Sequence, residues 1–504
     1  MMTEIYATVE IRKKELRFVV VKNRNSSITI LYKEKLMGDW LSKDDVVKDV
    51  HHTSQKLKKI IEFFERNFSH QIKSVLLILP SKTLSIFERE EHSILNPIIP
   101  ISKKTINETL SKLVASSQIS SRALISVRPF YYKVNGGIES AYQPLGMQSD
   151  YILIKAKLYT INKEVYTTHS NVIKELKKEI LLRNIDMFSL GKACVTEEEF
   201  RHTFAVVNWG YENIEIGFYA KESLNRILVL NTGLKSITEK ISKELGVRNK
   251  DIEKYLFKLI NYSNQSVVAD DLVFRKFNTT KQMTICLTTT EIKTIIYKEL
   301  KIFIDEIDKR IISEIGVNIM FKTYYFGRVT EIPGFSDILL QSKLKDRAIV
   351  FSPYVLGASE LWLAFSIGIM LQMRQMNRMN KQMIKTSTKI YMKQPTQPKF
   401  YQEHQNIPTQ VNNNIVQPQN LFNQNINTMY KNEGVQNQYL STPDNLNYQP
   451  QNMNQQLYQN PYLQEYPKNY QNFNIQQPNH VNHPQNIINF SQNVDNNFKN
   501  NNNF

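Results

Sequence analysis

Apolar residues cluster into three short runs at the start of the chain, EIYATVEI, LRFVVVK and SITILYKEKL, split by charged or Asn/Ser turns. Runs of this length and make-up predict strands. From Asp44 to Phe68, Val47, Leu57, Ile60, Ile61 and Phe64 recur at helical spacing and predict a helix. IKSVLLILP predicts a buried strand that Pro80 ends. A strand, a helix over Lys103–Ser117 and the strand ALISVRPFYYKV follow. After the loop NGGIESAYQPLGM come YILIKAKLYTI, a helix over Lys163–Leu182 and NIDMFSL.

The opening pattern then recurs. HTFAVVNWG, ENIEIGFYA and LNRILVLN predict a second three-strand meander, with a helix beginning near Lys235. Helices over Lys250–Asn261 and Glu291–Ser313 flank the strand VNIMFKTYYFG, and a turn at Pro333 and Gly334 follows. A meander and a helix, twice in one chain, predict an internal duplication of a β-β-β-α unit. Two such units facing each other form the nucleotide cleft of actin-like folds.

Composition divides the chain. Its 504 residues allow two to four domains, and the net charge is +17. From Gln394 onward the sequence is mostly Asn, Gln, Tyr and Pro, with Lys399, Lys431, Lys468 and Lys499 against Glu403, Glu433, Asp444, Glu465 and Asp495. The positive excess therefore belongs to the part before Gln394, and it suits an acidic partner or an anionic membrane face. Asn/Gln runs cannot bury enough apolar surface to offset chain entropy, so disorder is expected from Gln394, with self-association through amide and aromatic contacts. Cys194 and Cys286 exclude a disulfide framework and a cysteine zinc site, and both are expected as buried thiols. MMTEIYATVEIRKKEL has no apolar core of a signal peptide. The longest apolar run, Leu361–Leu371, falls short of the roughly 20 residues that cross a bilayer.

One stretch carries a resemblance. YYKVNGGIESAYQPLGMQSDYILIKAKLYTI, through Tyr132, Val134, Asn135, Pro144, Leu145, Gly146 and Met147, resembles a segment of the bacterial cell-division protein FtsA, with Asn135 in place of an Asp. That segment sits in a small subdomain peculiar to FtsA and its pilus-assembly relatives. GLKSITEKISKELGV and YYFGRVTEIPGFSDILL are similar to two further family segments, and the likeness spans about residues 4 to 373. The resemblance implies an α/β, actin-like duplicated fold: two lobes around a cleft, a small FtsA-type inserted subdomain and a disordered C-terminal tail. It places lobe 1 at 1–101, the insertion at 102–190 and lobe 2 with the closing helices at 191–372. It further implies binding of FtsZ, through a region between about Leu245 and Ser313, and attachment to the cytoplasmic face of the cell membrane. The alternatives on the same fold are an active ATPase forming ATP-dependent filaments and a pilus-type membrane assembly platform.

Family members usually bind ATP with Mg²⁺ through loops whose backbone N–H groups approach the phosphates, which demands small residues. The matching positions here are altered. Glu10 and Arg17 keep a carboxylate and a cation, but Arg12 stands where a glycine is usual. In the second hairpin Asn208 replaces an Asp. Gly210 survives, while Tyr211, Glu212, Asn213 and Ile214 fill the glycine and threonine positions, and Glu212 is expected to face the phosphates as an anion. Gly233 and Gly327 are kept beside Leu234 and Arg328. ATP turnover is expected to be lost, although Arg12 and Arg328 could clamp phosphate by side chain. No Walker, HExxH or GxSxG motif offers other chemistry, and adjacent His51 and His52 point different ways on a helix.

The segment 373–393 is read as a basic amphipathic helix. Arg374, Arg378, Lys381, Lys385, Lys389 and Lys393 are spaced to form one stripe, with Met373, Met376, Met379, Met383, Ile384 and Ile390 mainly opposite. That composition predicts contact with an anionic membrane surface, without nucleic acid as a partner. A weaker membrane candidate combines Ile487, Phe490, Val494 and Phe498.

Overall fold

The computed structural model describes residues 3–24, 27–263, 270–278, 282–353, 355–379 and 385–389. The chain divides into a unit Met1–Tyr401 and a unit Gln402–Phe504, and all described residues belong to the first. The tail expected from Gln394, the second membrane candidate within it, Lys381 and Lys393 lie outside the described residues.

The first meander forms as expected: β1 (Thr3–Ile11), β2 (Glu15–Arg24) and β3 (Ser27–Met37) pair antiparallel. Helix α1 (Val50–Phe68) follows, capped by Asp49, whose carboxylate accepts from the N–H of His52. It starts later than the apolar spacing suggested, because Leu41 and Val47 pair in an isolated bridge first. After β4 (Gln71–Ile72), β5 (Ser74–Leu79) runs parallel to β1.

The chain then leaves this sheet. β6 (Ser85–Ile94), helix α2 (Lys103–Ser116), β7 (Arg122–Val134), β8 (Ile138–Ser140) and β9 (Tyr151–Asn162) build a separate antiparallel sheet ordered β6-β9-β7-β8. It returns through α3 (Lys163–Glu175) and β10 (Glu179–Ile185), which pairs parallel with β5. The inserted sheet thus occupies 85–162 rather than 102–190. The physical reason is pairing: β10 completes the first sheet, and residues 176–185, expected as helix as far as Leu182, turn at Lys177 (φ 53°) and extend.

Helix α4 (Asp186–Cys194) leads to the second meander, β11 (Phe204–Trp209), β12 (Ile214–Ala220) and β13 (Ser223–Leu230). Helices α5 (Leu234–Leu245) and α6 (Asn249–Lys254), the hairpin β14 (Leu272–Asn278) and β15 (Met283–Thr288), and α7 (Thr289–Ile315) come next. β16 (Lys322–Phe326), α8 (Phe335–Leu339), β17 (Ala348–Val350), α9 (Leu363–Met379) and β18 (Thr388–Lys389) complete the described elements.

The two large sheets have one plan. The first runs β3-β2-β1-β5-β10 and the second β13-β12-β11-β16-β17, each an antiparallel meander continued by two parallel strands. This repeated order is the duplicated actin-like fold. Both faces of each sheet are covered. On β1, Tyr6 and Thr8 bond to Asn377 and Ser366 of α9, while Val9 and its partner Phe18 face Phe64 of α1. On β11, Phe204 and Val206 share a core with α4, and Ala205, Val207 and Trp209 share the other with α5 and α7.

Helices α4 and α9 cross where the chain passes between the lobes. A Cβ at Gly368 would lie 1.7 Å from the carbonyl oxygen of Ser189, so the backbones touch there and only hydrogen fits. Gly368→Ala should therefore lower the unfolding free energy by about 3 kcal/mol, read from urea denaturation. An unchanged midpoint would mean the helices do not meet this closely.

The two cysteines differ from expectation in one respect. Cys194 is shielded, and burial pushes its thiol pKa up, but Cys286 is exposed because it sits on the β14–β15 hairpin rather than in a core.

Candidate functional site in the interlobe cleft

The C-terminal end of β1 carries Glu10 to the mouth of the cleft, and the β1–β2 turn carries Arg12 over it. Arg12 Nε donates to Glu10 Oε1 at 2.5 Å and a terminal nitrogen to Asp186 Oδ2 at 3.3 Å. Asp186 opens α4, where its other oxygen accepts from the N–H of Met187 at 2.6 Å. The guanidinium also lies over the ring of Phe365, 4.4 Å from its centroid. Arg17, directly across the hairpin from Glu10, donates to Glu10 Oε2 at 2.8 Å and to Glu15. Both family-like groups of the first hairpin thus serve each other.

Lobe 2 adds Glu215, opposite Asn208 across the second hairpin. Asn208 Nδ2 donates to one Glu215 oxygen at 2.9 Å, and Ser81 of lobe 1 donates to the other at 3.4 Å. Sequence reasoning missed both Asp186 and Glu215. Glu215 sits two places beyond the hairpin turn at a position that alternation alone marks as an inward strand residue, so the signal was its charge on a face shared with Asn208.

These acids titrate unequally. Burial pushes Glu10 up, but the charges and hydrogen bonds of Arg12 and Arg17 outweigh it and hold its pKa below the ordinary range. Asp186 is raised to about 7: burial dominates, Arg12 opposes, and the charges of Glu215 and Glu10 add to the rise. Glu215 is raised as well, mainly by burial and against Arg12.

The second hairpin ends in the turn Gly210–Asn213. Its carbonyls are already used: Leu234 N–H donates to Gly210 O at 3.2 Å and Lys235 N–H to Tyr211 O at 2.8 Å. Those are the first N–H groups of α5, the donors a helix N-terminus would otherwise offer to an anion. The same packing accounts for two retained glycines. A Cβ at Gly233 would come within 2.5 Å of Tyr211 O, and one at Gly327 (φ +95°) within 2.7 Å of Trp209 O. Glu212 does not face the cleft interior. It lies exposed at the turn with Lys13 of lobe 1 at 3.9 Å, because the turn projects it outward.

Arg328 follows Gly327 and turns onto aromatic faces. Its guanidinium carbon lies 4.7 Å from the ring centroid of Phe257 and 5.2 Å from that of Tyr211, with Glu253 at 3.7 Å. Tyr211 OH donates to Glu253 at 2.7 Å. Arg12 and Arg328 therefore each hold protein carboxylate and aromatic partners.

The basic stripe over 373–393 does not form as one helix. α9 belongs to the core, and Met373 and Arg374 are both buried, Arg374 only 9% exposed with its pKa lowered chiefly by burial. Arg378 pairs with Glu197 at 3.3 Å. Asn377 exchanges hydrogen bonds with the backbone of Lys385, and Thr388–Lys389 pairs as strand with Gln71–Ile72. The Asn377 side chain and the edge at Gln71–Ile72 hold 385–389 in a non-helical course, so the stripe is divided between a core helix and a strand. Among the described residues no helix is long and apolar enough to cross a membrane.

No protein-family profile matches the chain, and no curated protein matches it. Solved structures do. The PilM–PilN type IV pilus biogenesis complex matches with a TM-score of 0.47 and 12% identity, over 73% of this chain and 98% of that one. MreB5 of Spiroplasma citri bound to ADP matches at 0.41 and 9%, over 75% and 99%. The ethanolamine utilization protein EutJ from Carboxydothermus hydrogenoformans matches at 0.37 and 12%, over 73% and 89%. The protein's place in the actin-like class rests on the duplicated sheet order itself.

Two stability predictions follow from the charges. Asp186 has a raised folded pKa, so the stability it contributes is full below about pH 4 and is lost as pH rises toward 7. Glu10 has the opposite sign: its contribution is present above its ordinary pKa and is lost as pH falls. Asp186→Asn should therefore flatten the decline in Tm as pH rises between about 5 and 7, and an unaltered slope would count against this assignment. Arg12→Ala, which leaves the carboxylates facing one another, should cost about 3–5 kcal/mol in urea unfolding at pH 7.

Proposed function

We propose that this protein is a divergent FtsA-like scaffold that works without turning over ATP. It binds FtsZ and ties it to an anionic membrane surface on the cytoplasmic side, with neither ATP nor Mg²⁺ as a working cofactor. The observation that carries the reading is the content of the cleft. Arg12, locked between Glu10 and Asp186, stands at the phosphate end of the family pattern, and Arg328 with Tyr211, Phe257 and Glu253 fills the nucleoside end. The first N–H groups of α5 already have carbonyl partners. These residues do not fit a metal-bound triphosphate, since a ring of carboxylates neutralised by a fixed guanidinium repels added phosphate once that guanidinium is taken.

The FtsZ half is supported by the likeness of Tyr132–Met147 to the family segment. In the fold that stretch acts as a loop lock: Asn135 Oδ1 accepts from Ser149 Oγ at 3.0 Å and from the N–H of Asp150 at 3.2 Å, and Pro144 is buried.

Titration calorimetry of the full chain with ATP and Mg²⁺ tests the first half. No saturable heat is expected up to about 1 mM nucleotide, and micromolar binding with phosphate release would overturn it. Co-pelleting with polymerised FtsZ tests the second: the chain should sediment with polymer and stay soluble with unpolymerised FtsZ, and equal recovery in both supernatants would refute the partner.

A further inference from the structure

The inserted sheet ends in a surface that nothing in the cleft uses. At its root Ser85 pairs with Thr160, and Arg122 donates to Thr83 and Thr160 beside lobe 1. At its far end Ile94 pairs with Tyr151, and Val134 with Ile138. The nine-residue step from Ser85 to Ile94 carries this end about 30 Å from the root.

Two loops cap that end and are bonded to each other. Leu95 N–H donates to Asp150 O at 2.7 Å, Ile101 N–H to Met147 O at 2.8 Å, and Gly146 N–H to Ile101 O at 2.9 Å. A small core of Ile101, Ile106, Tyr132, Val134, Ile152 and Ile154 holds the loops from below. With their inward residues fixed, the outward ones cannot fold back. Ile94 is 86% exposed, Ile98 78%, Ile99 61% and Tyr142 83%. Four large apolar side chains held out in water, Ile94 at the end of β6 and the others on the two capping loops, mark a contact surface.

The neighbouring charges say what it contacts. α2 begins with Lys103 and Lys104 and has no acid in its first turn, although the helix dipole disfavours cations there. Lys104 has only a loose pair with Glu108 at 3.9 Å, and Lys103 makes no ion pair among the described residues. Of the acids nearby, Glu139 is matched by Lys133 at 3.4 Å, and Asp150 is exposed. The apolar side chains protrude singly rather than line a hollow, so they suit a fluid that closes around them. Cations beside them suit anionic headgroups.

We propose that this tip is the membrane-contacting surface of the protein: Ile94, Ile98, Ile99 and Tyr142 enter an anionic bilayer while Lys103 and Lys104 meet its headgroups. This rests on the membrane half of the function proposed above and moves the contact from α9 to the insertion. It does not depend on the state of the cleft.

The test is flotation of the full chain with phosphatidylcholine vesicles, with and without one-third phosphatidylglycerol. Wild type should float with the anionic vesicles. Ile98→Glu/Ile99→Glu should reduce the bound fraction at least about tenfold, and Lys103→Glu/Lys104→Glu by a similar factor on anionic vesicles. Met320→Glu, at an equally exposed apolar site on lobe 2, should leave binding unchanged. All variants must keep the wild-type Tm. A fluorophore on Tyr142→Cys, in a chain with Cys194 and Cys286 replaced by Ser, should shift to the blue on vesicles as a separate readout. Wild type that fails to float defeats the membrane reading as a whole. Wild type that floats equally with both tip variants defeats only the placement at the tip. A blue shift caused by self-association in the absence of vesicles would assign the tip to a second copy and overturn the lipid proposal.

Discussion

A buried charge must be answered where it sits, and in this molecule Arg12 does the answering. Its guanidinium meets Glu10 at the end of β1 and Asp186 at the start of α4, while the field of Glu215 reaches it from lobe 2. Hairpin, connecting helix and opposite lobe are thereby joined through one side chain. Glu10 remains ionised because two arginines share it, and Asp186 is pushed toward neutrality chiefly by burial, with the charges of Glu215 and Glu10 adding to the rise that Arg12 opposes. The cleft is polar, filled and internally balanced, which is a different condition from an open site waiting for an anion.

The second hairpin shows the same self-sufficiency in backbone terms. Glycines at 233 and 327 would ordinarily be taken as room for a ligand. Here the room is occupied by the carbonyls of Tyr211 and Trp209, so those glycines are required by the hairpin packing against α5 and β16. The N-terminus of α5 is sealed by the same turn. The hairpin packing alone accounts for glycine at both positions.

Much of the fold could be read from the chain because its signals are local. The two meanders are marked by apolar runs such as RFVVV and FAVVN, and the long α7 by regular spacing from Ile292 to Ile311. What could not be read depends on long-range partners. The stretch around Glu179–Ile185 has mixed apolar spacing that fits helix or strand, and only pairing with β5 decides it. The stripe from Arg374 onward has good helical periodicity, yet periodicity cannot say whether a face meets water or α4. Arg374 is inside because α9 lies between the lobes. In the cleft, Arg12 was legible as a residue out of place. Its partners Asp186 and Glu215 were not, since they come from segments 174 and about 200 positions away and carry no shared motif.

The short strand β18 ties the end of the described chain to the first lobe. Ser387 N–H bonds to Ile5 O, its carbonyl accepts from Lys73, and Thr388–Lys389 lies along β4. The chain is thus stitched to the edge of β1 before it continues. Tension that reaches Lys389 along the chain is met by these few bonds and delivered to β1, the strand whose other end holds Glu10. A load arriving at Lys389 is in that sense a load on the cleft, passed along one strand of nine residues.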